Sequence, residues 1–158
     1  MIIKIRIATT KDISSILYIE NCCFTSDQIS YRQLKYLLTT GKSLVLIAEV
    51  SSKIIGYCIY LHPKLPKPAR VYSVAVLQEW QGNGIAQKLM AHGIRKMATL
   101  GYPRVRLEVR ARDLKTQKIY SKLGFQSISK LPSYYSDNAD GIRMELLLIK
   151  NKARDYVF

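Results

Sequence analysis

The stretch from Val71 to Met90 constrains the fold of this chain more than any other. A mostly apolar run, Val71 to Leu77, has the composition of a buried central strand. The densest punctuation in the chain follows, Gln81-Gly82-Asn83-Gly84, and then a long amphipathic helix with Ala86, Leu89, Met90, Gly93, Ile94 and Met97 on one stripe. A strand that turns through glycines into a helix exposes the first N–H groups of that helix, which carry about half a positive charge. Glycines let those groups approach an anion with no Cβ in the way. Such a turn can cradle a diphosphate, and it can equally be an ordinary tight connection. No Gly-Lys-Ser or Gly-Lys-Thr follows, which excludes a nucleotide triphosphatase loop. A third small residue stands at Ala86, but no acidic ribose-binding residue ends the next strand, so a full dinucleotide fingerprint is absent.

The rest of the chain supplies layers around this unit. Ile3, Ile5 and Ile7 alternate with Lys4 and Arg6, the period of a strand. Thr10 to Asp12 carry helix-start chemistry, and Ile13, Ile16, Leu17 and Ile19 follow at helical spacing. A second short helix is expected over Tyr31 to Leu38. Ser43 to Val50 and Ile54 to Leu61 read as a hairpin, and Pro63, Pro66 and Pro68 mark an irregular loop. Val105, Leu107 and Val109 alternate with charged residues in another strand. Asp113 fits the N-cap of a helix carrying Thr116, Ile119, Tyr120 and Leu123, with Gly124 just past its end. Two last strands, Phe125 to Lys130 and Ile142 to Ile149, flank a loop with Tyr134 and Tyr135. The order β-α-α-β-β-β-α-β-α-β-β is that of an α/β (α+β) domain, a mixed central sheet with helices on both faces. At 158 residues the chain is one domain's worth, expected over 1–150 with a C-terminal tail at 151–158.

The charge needs an account. Twenty-five Lys and Arg against 11 Asp and Glu give a net charge of +14, which attracts polyanions, nucleic acid and phosphate-rich cofactors alike. No RNA-binding aromatic motif or helix-turn-helix pattern accompanies it, so nucleic acid is not required. No apolar run reaches the roughly 18 to 20 residues of a membrane span, and the start has no secretory signal. Cys22, Cys23 and Cys58 are odd in number and lack metal spacing, so no metal is expected and a reducing cytoplasmic location is.

At this point the chain resembles a known family. Gln81-Gly82-Asn83-Gly84-Ile85-Ala86 looks like the pyrophosphate loop of GNAT-type N-acetyltransferases. Tyr72 to Val76 before it, Glu108-Val109-Arg110, Tyr120 to Phe125 and Tyr134-Tyr135 after it fall in the family's order. The branch most similar acetylates ribosomal-protein alanine N-termini. The resemblance implies that acetyl-CoA, as co-substrate, lies in a gap where two parallel strands, here Val71 to Leu77 and Arg104 to Val109, splay apart. Backbone groups of Val74, Ala75 and Val76 would pair with its pantetheine arm, and residues Gln81 to Ala86 would hold its pyrophosphate. Asp113 stands where the branch commonly has an Asn that contacts the cofactor. An ionised carboxylate cannot donate there, which leaves it the cap.

The same resemblance gives Glu108 the part of general base through water, and Tyr120 that of the acid that protonates the departing thiolate. Read from the residues alone, Glu108 is equally a strand carboxylate paired with Arg106 or Arg110, and Tyr120 a packed helix aromatic. His62 and His92 read as surface histidines. The branch implies a protein N-terminal α-amine as acceptor, and a ribosomal partner would suit the charge. An α-amine of pKa about 8 costs about 1.4 kcal/mol to deprotonate at pH 7, against about 4.6 kcal/mol for a lysine. A small amine such as a polyamine or drug is the alternative acceptor, and a nucleic-acid-binding module the alternative of another class. Phe24, Tyr31, Tyr134 and Tyr135 are the candidate acceptor-binding residues. Glu20, Asp27, Asp137 and Asp140 could form an acidic patch that offsets the charge for a cationic acceptor.

Overall fold

The computed structural model describes residues 2–148. Seven strands form one sheet in the order β1-β2-β3-β4-β5-β7-β6. They are β1 (Lys4–Ile7), β2 (Ser43–Val50), β3 (Lys53–Leu61), β4 (Ala69–Val76), β5 (Arg104–Arg110), β6 (Gln126–Leu131) and β7 (Gly141–Leu147). Helices α1 (Ile13–Cys23) and α2 (Tyr31–Thr39) pack on one face, α3 (Ile85–Thr99) and α4 (Leu114–Lys122) on the other. The expected element order is the observed one. The sequence did not foretell two short 3₁₀ turns, Thr10–Asp12 and Gln78–Trp80, or that β4 begins at Ala69. The tail at 151–158 and the end of the last strand at Ile149 lie outside the described residues.

The alternation read in β5 is real burial. Val105, Leu107 and Val109 join the core under α3 and α4, and Arg104, Arg106, Glu108 and Arg110 take the other face. Met144 and Leu146 of β7 share that core, which leaves Arg143 and Glu145 beside the β5 charges. The second core, with Ile16, Ile19, Leu34, Ile47, Tyr57 and Ile59, lies under α1 and α2.

Two features of β4 open the sheet. All pairs are antiparallel except β4 with β5, and that parallel ladder is recorded only at Ala69–Val105 and Arg70–Arg106. Beyond Arg70 the two strands part. On its other side β4 pairs Ser73 with Ile59 and Val71 with Tyr60, so Tyr72 is an extra residue, a bulge. A bulge bends and twists its strand, and here it sits where β4 leaves β5. It also reverses the alternation: Val71 faces the α3–α4 core, and Ala75, four residues on, faces the α1–α2 core.

Candidate active site

Past its parting from β5, β4 borders a cleft of about 620 Å³. Its walls include Val74, Ala75 and Val76 of β4, the turn residues Gln81, Gly82 and Gly84, the start of α3 with Ile85 and Ala86, and Asp113 and Tyr120 of the α4 segment. Nearly every residue the sequence assigned to a cofactor is therefore brought to one wall or another of a single cleft. Asn83 is the exception: its side chain is exposed and donates to the Trp80 carbonyl at 3.0 Å.

The turn has the backbone that its glycines permit. Gly82 and Gly84 have φ of 84° and 73°, the left-handed region that a Cβ makes costly. Gly84 is the N-cap of α3 and offers no side chain to the first turn, which holds no acidic residue. The leading N–H groups thus meet the cleft without a resident acceptor, the condition for holding an anion. Gln81 braces the turn by donating from Nε2 to the Val76 carbonyl at 3.0 Å, and the Cys23 thiol reaches the same oxygen at 3.4 Å. Lys115, Lys118 and Lys122 line the opposite wall. Two positive-φ glycines, uncapped N–H groups, a β4 edge released from β5 and lysines across the way fit an extended diphosphate ester such as CoA. Among the described residues no group of three metal-binding side chains occurs.

Tyr120 is 7% exposed and packs on Phe125 with ring centroids 6.1 Å apart. Burial, with the nearby Cys58 and Asp113, pushes its phenol well above the ordinary value. It therefore stays protonated, as a proton donor must. Asp113 Oδ1 accepts from the Thr116 N–H at 3.0 Å, the expected cap, while its side chain also borders the cleft.

Glu108 is not on the cleft wall but on the other face of the sheet, the α1–α2 side. Its side chain is 6% exposed and its partners are not those the sequence offered. Arg70 pairs with Oε1, Arg143 Nε stands 3.4 Å from Oε2, and the Tyr134 hydroxyl donates to Oε1 at 3.3 Å. Arg106 instead pairs with Glu145 at 2.6 Å and Arg110 with Asp137 at 3.0 Å. Neighbours across strands won over neighbours two residues along, because β7 sets Arg143 directly opposite Glu108 and the splay begins at Arg70.

Two of the four acceptor candidates, Tyr134 and Tyr135, stand beside this carboxylate. Tyr134 and Tyr135 pack edge to face at 5.0 Å, and Arg110 lies 4.3 Å above the Tyr135 ring while also donating to Ser26 at 3.2 Å. Burial pushes the Tyr135 phenol up to about 12. Phe24 lines the cleft. Tyr31 is 58% exposed at the start of α2 and is not among the cleft residues. His92 is exposed and His62 packs edge-on against Tyr102, neither on the cleft. Burial takes Glu20 out of the expected acidic patch, and two of its other members are already engaged. Glu20 is 2% exposed in the α1–α2 core, Asp137 is held by Arg110, and Asp140 accepts from the Ser133 N–H. Sequence reasoning missed Arg70, Arg143 and Ser73, whose relevance depends on strand register and on the bulge.

A sequence profile of the acetyltransferase (GNAT) family matches residues 13–125. A protein of Sulfolobus acidocaldarius named N-alpha-acetyltransferase is 26% identical over 152 residues, covering 89% of this chain and 90% of the relative. The crystal structure of Ard1 from Thermoplasma volcanium superposes with a TM-score of 0.85 at 23% identity, over 94% of this chain and 99% of that one. That of the ribosomal-protein-S18-alanine N-acetyltransferase from Escherichia coli gives a TM-score of 0.83 at 23% identity, over 93% and 94%.

Proposed function

The chain belongs to the GNAT family of acetyltransferases, and from that membership we propose that it transfers acetyl from acetyl-CoA to the α-amine of a protein N-terminus. The protein is an N-acetyltransferase, of a family that uses acetyl-CoA. The N-terminal acceptor is supported by the relative named N-alpha-acetyltransferase, which matches along nearly its whole length. The observation that carries the reading is the splay: one cleft joins the glycine turn, the free β4 edge and Tyr120, and Glu108 lies on the sheet's opposite face.

In this reading the N–H groups of residues 82–86 hold the pyrophosphate and β4 residues Val74 to Val76 take the pantetheine arm. Glu108 accepts the proton that the amine loses, through a water. Arg70, Arg143 and Tyr134 occupy its oxygens, so one of these contacts lengthens as the proton arrives. Tyr120 protonates the thiolate as the carbon–sulfur bond breaks. Burial makes the phenol a weaker acid, but a thiolate in the same dry surroundings is raised with it, so the transfer stays accessible. At the end of the transfer Glu108 has gained the amine's proton and Tyr120 has lost its own to the thiolate, and solvent restores both. No cysteine takes part, and attack is direct.

Two assays test this. Calorimetry with CoA should give saturable binding, and a panel of peptides with free N-termini should be acetylated on the α-amine ahead of polyamines and other small amines. Absence of CoA binding would overturn the enzyme reading. Faster turnover of a small amine than of any peptide would replace the acceptor.

A further inference from the structure

One buried carboxylate has no part in the reaction described so far. Glu20, near the end of α1, is 2% exposed, and both its oxygens are engaged inside the α1–α2 core. Oε2 accepts from the Ile29 N–H at 2.7 Å, and Oε1 accepts from the hydroxyl of Tyr57, itself fully buried on β3. The Tyr57 oxygen lies 3.0 Å from Ser73 Oγ. A phenol has one proton, and Tyr57 gives it to Glu20. In the remaining contact Ser73 must therefore be the donor and Tyr57 the acceptor. Burial and the nearby Glu20 charge push the Tyr57 phenol far above its ordinary value, which keeps that proton in place.

The consequence falls on Ser73. Its one proton points inward to Tyr57, so its oxygen keeps its lone pairs as acceptors, and among the described residues no other group takes them. The residue is half-buried, not sealed in the core. The bulge at Tyr72 turns it to the α1–α2 face, the face that carries Glu108. Ser73 is three residues past Arg70 and Glu108 two past Arg106, the last pair of the β4–β5 ladder. With one residue absorbed by the bulge, each lies two register steps past that last pair.

We propose that Ser73 is a further acceptor-binding residue, whose oxygen receives an N–H of the incoming amine where β4 and β5 part, with Tyr57 and Glu20 as the positioning residues that aim it. An amine that must attack with its lone pair has N–H bonds to place elsewhere, and a hydroxyl locked as acceptor takes one. Glu20 also holds Ile29, so the same carboxylate ties the 24–30 segment to this point. The proposal rests on the acceptor reading above.

The test measures steady-state kinetics on the best peptide of the panel, with CoA affinity by calorimetry. Ser73→Ala should lower kcat/KM for the peptide about ten-fold, the effect of one hydrogen bond, with CoA affinity unchanged. Ser73→Thr, which keeps the hydroxyl, should retain most of the activity. Tyr57→Phe should act in the same direction, and the double variant should lose no more than the worse single one, since the residues act as one chain. If Tyr57→Phe does not fold, the Ser73 pair decides alone. An unchanged kcat/KM in Ser73→Ala, or an equal loss of CoA affinity, overturns the proposal and leaves the N-acetyltransferase reading standing. A wild-type protein that binds CoA but acetylates no peptide overturns the acceptor reading, and the role of Ser73 falls with it.

Discussion

Tyr120 and Glu108 illustrate how differently two side chains can be read from the same string. Tyr120 is a candidate through its motif, and its burial is what its place on an apolar helical stripe requires. Tyr120→Phe keeps the ring and its contact with Phe125, so the fold should hold while kcat falls ten-fold or more; steady-state rates at saturating peptide measure it, and an unchanged kcat would remove the donor role. Glu108→Gln should lower kcat similarly, since an amide keeps the shape but takes no proton. The residue itself was visible in the sequence, its clamp was not. Arg106 and Arg110 are near it along the chain, yet Arg70, 38 residues earlier, and Arg143, 35 later, hold it. Strand register decides such pairs, and register depends on the whole sheet.

At the scale of elements, periodicity and punctuation located the strands and helices because each signal is local. The helix α3 packs on β3 at a point the sequence marks only with a glycine inside the apolar stripe. A Cβ at Gly93 would stand 1.9 Å from the Tyr60 ring, and the Tyr60 hydroxyl donates to the Met90 carbonyl one turn earlier at 2.8 Å. Gly93→Ala must push that ring or the helix aside. Alanine's better helix propensity offsets the overpacking only in part, so a loss of about 1–3 kcal/mol is expected in urea denaturation. The bulge at Tyr72 left no such mark. Nothing in the order of β4's residues reveals that one of them is unpaired, because a bulge is a property of two strands.

For the whole molecule, the arrangement of charge matters more than its sum. Between Gly82 and Lys130 there are eleven Lys or Arg and two acids, and three of those lysines line the cleft. One cofactor does not need so many charges. The few acids are used as anchors. Asp12 joins the end of β1 to the start of α1, accepting from Arg6 at 2.9 and 3.0 Å and from the Thr9 N–H at 2.8 Å. Arg6 holds its carboxyl below the usual range despite its burial. A carboxyl depressed in the folded state stabilises above the unfolded pKa, near 4, and that contribution is lost as pH falls through the folded value. Asp12→Asn should thus cost about 1–3 kcal/mol at pH 7. The gap to wild type should narrow below pH 4, as denaturation curves at the two pH values will reveal. By itself the sequence determined the element order, the layers and the glycine turn, and it singled out Tyr120 and Glu108 as candidates, because all of these follow from contacts within a few residues or from a linear motif. Only the tertiary structure decided where β4 leaves β5, which arginines clamp Glu108 and which way Ser73 points, because each depends on residues far apart in sequence meeting in a register that the whole sheet sets.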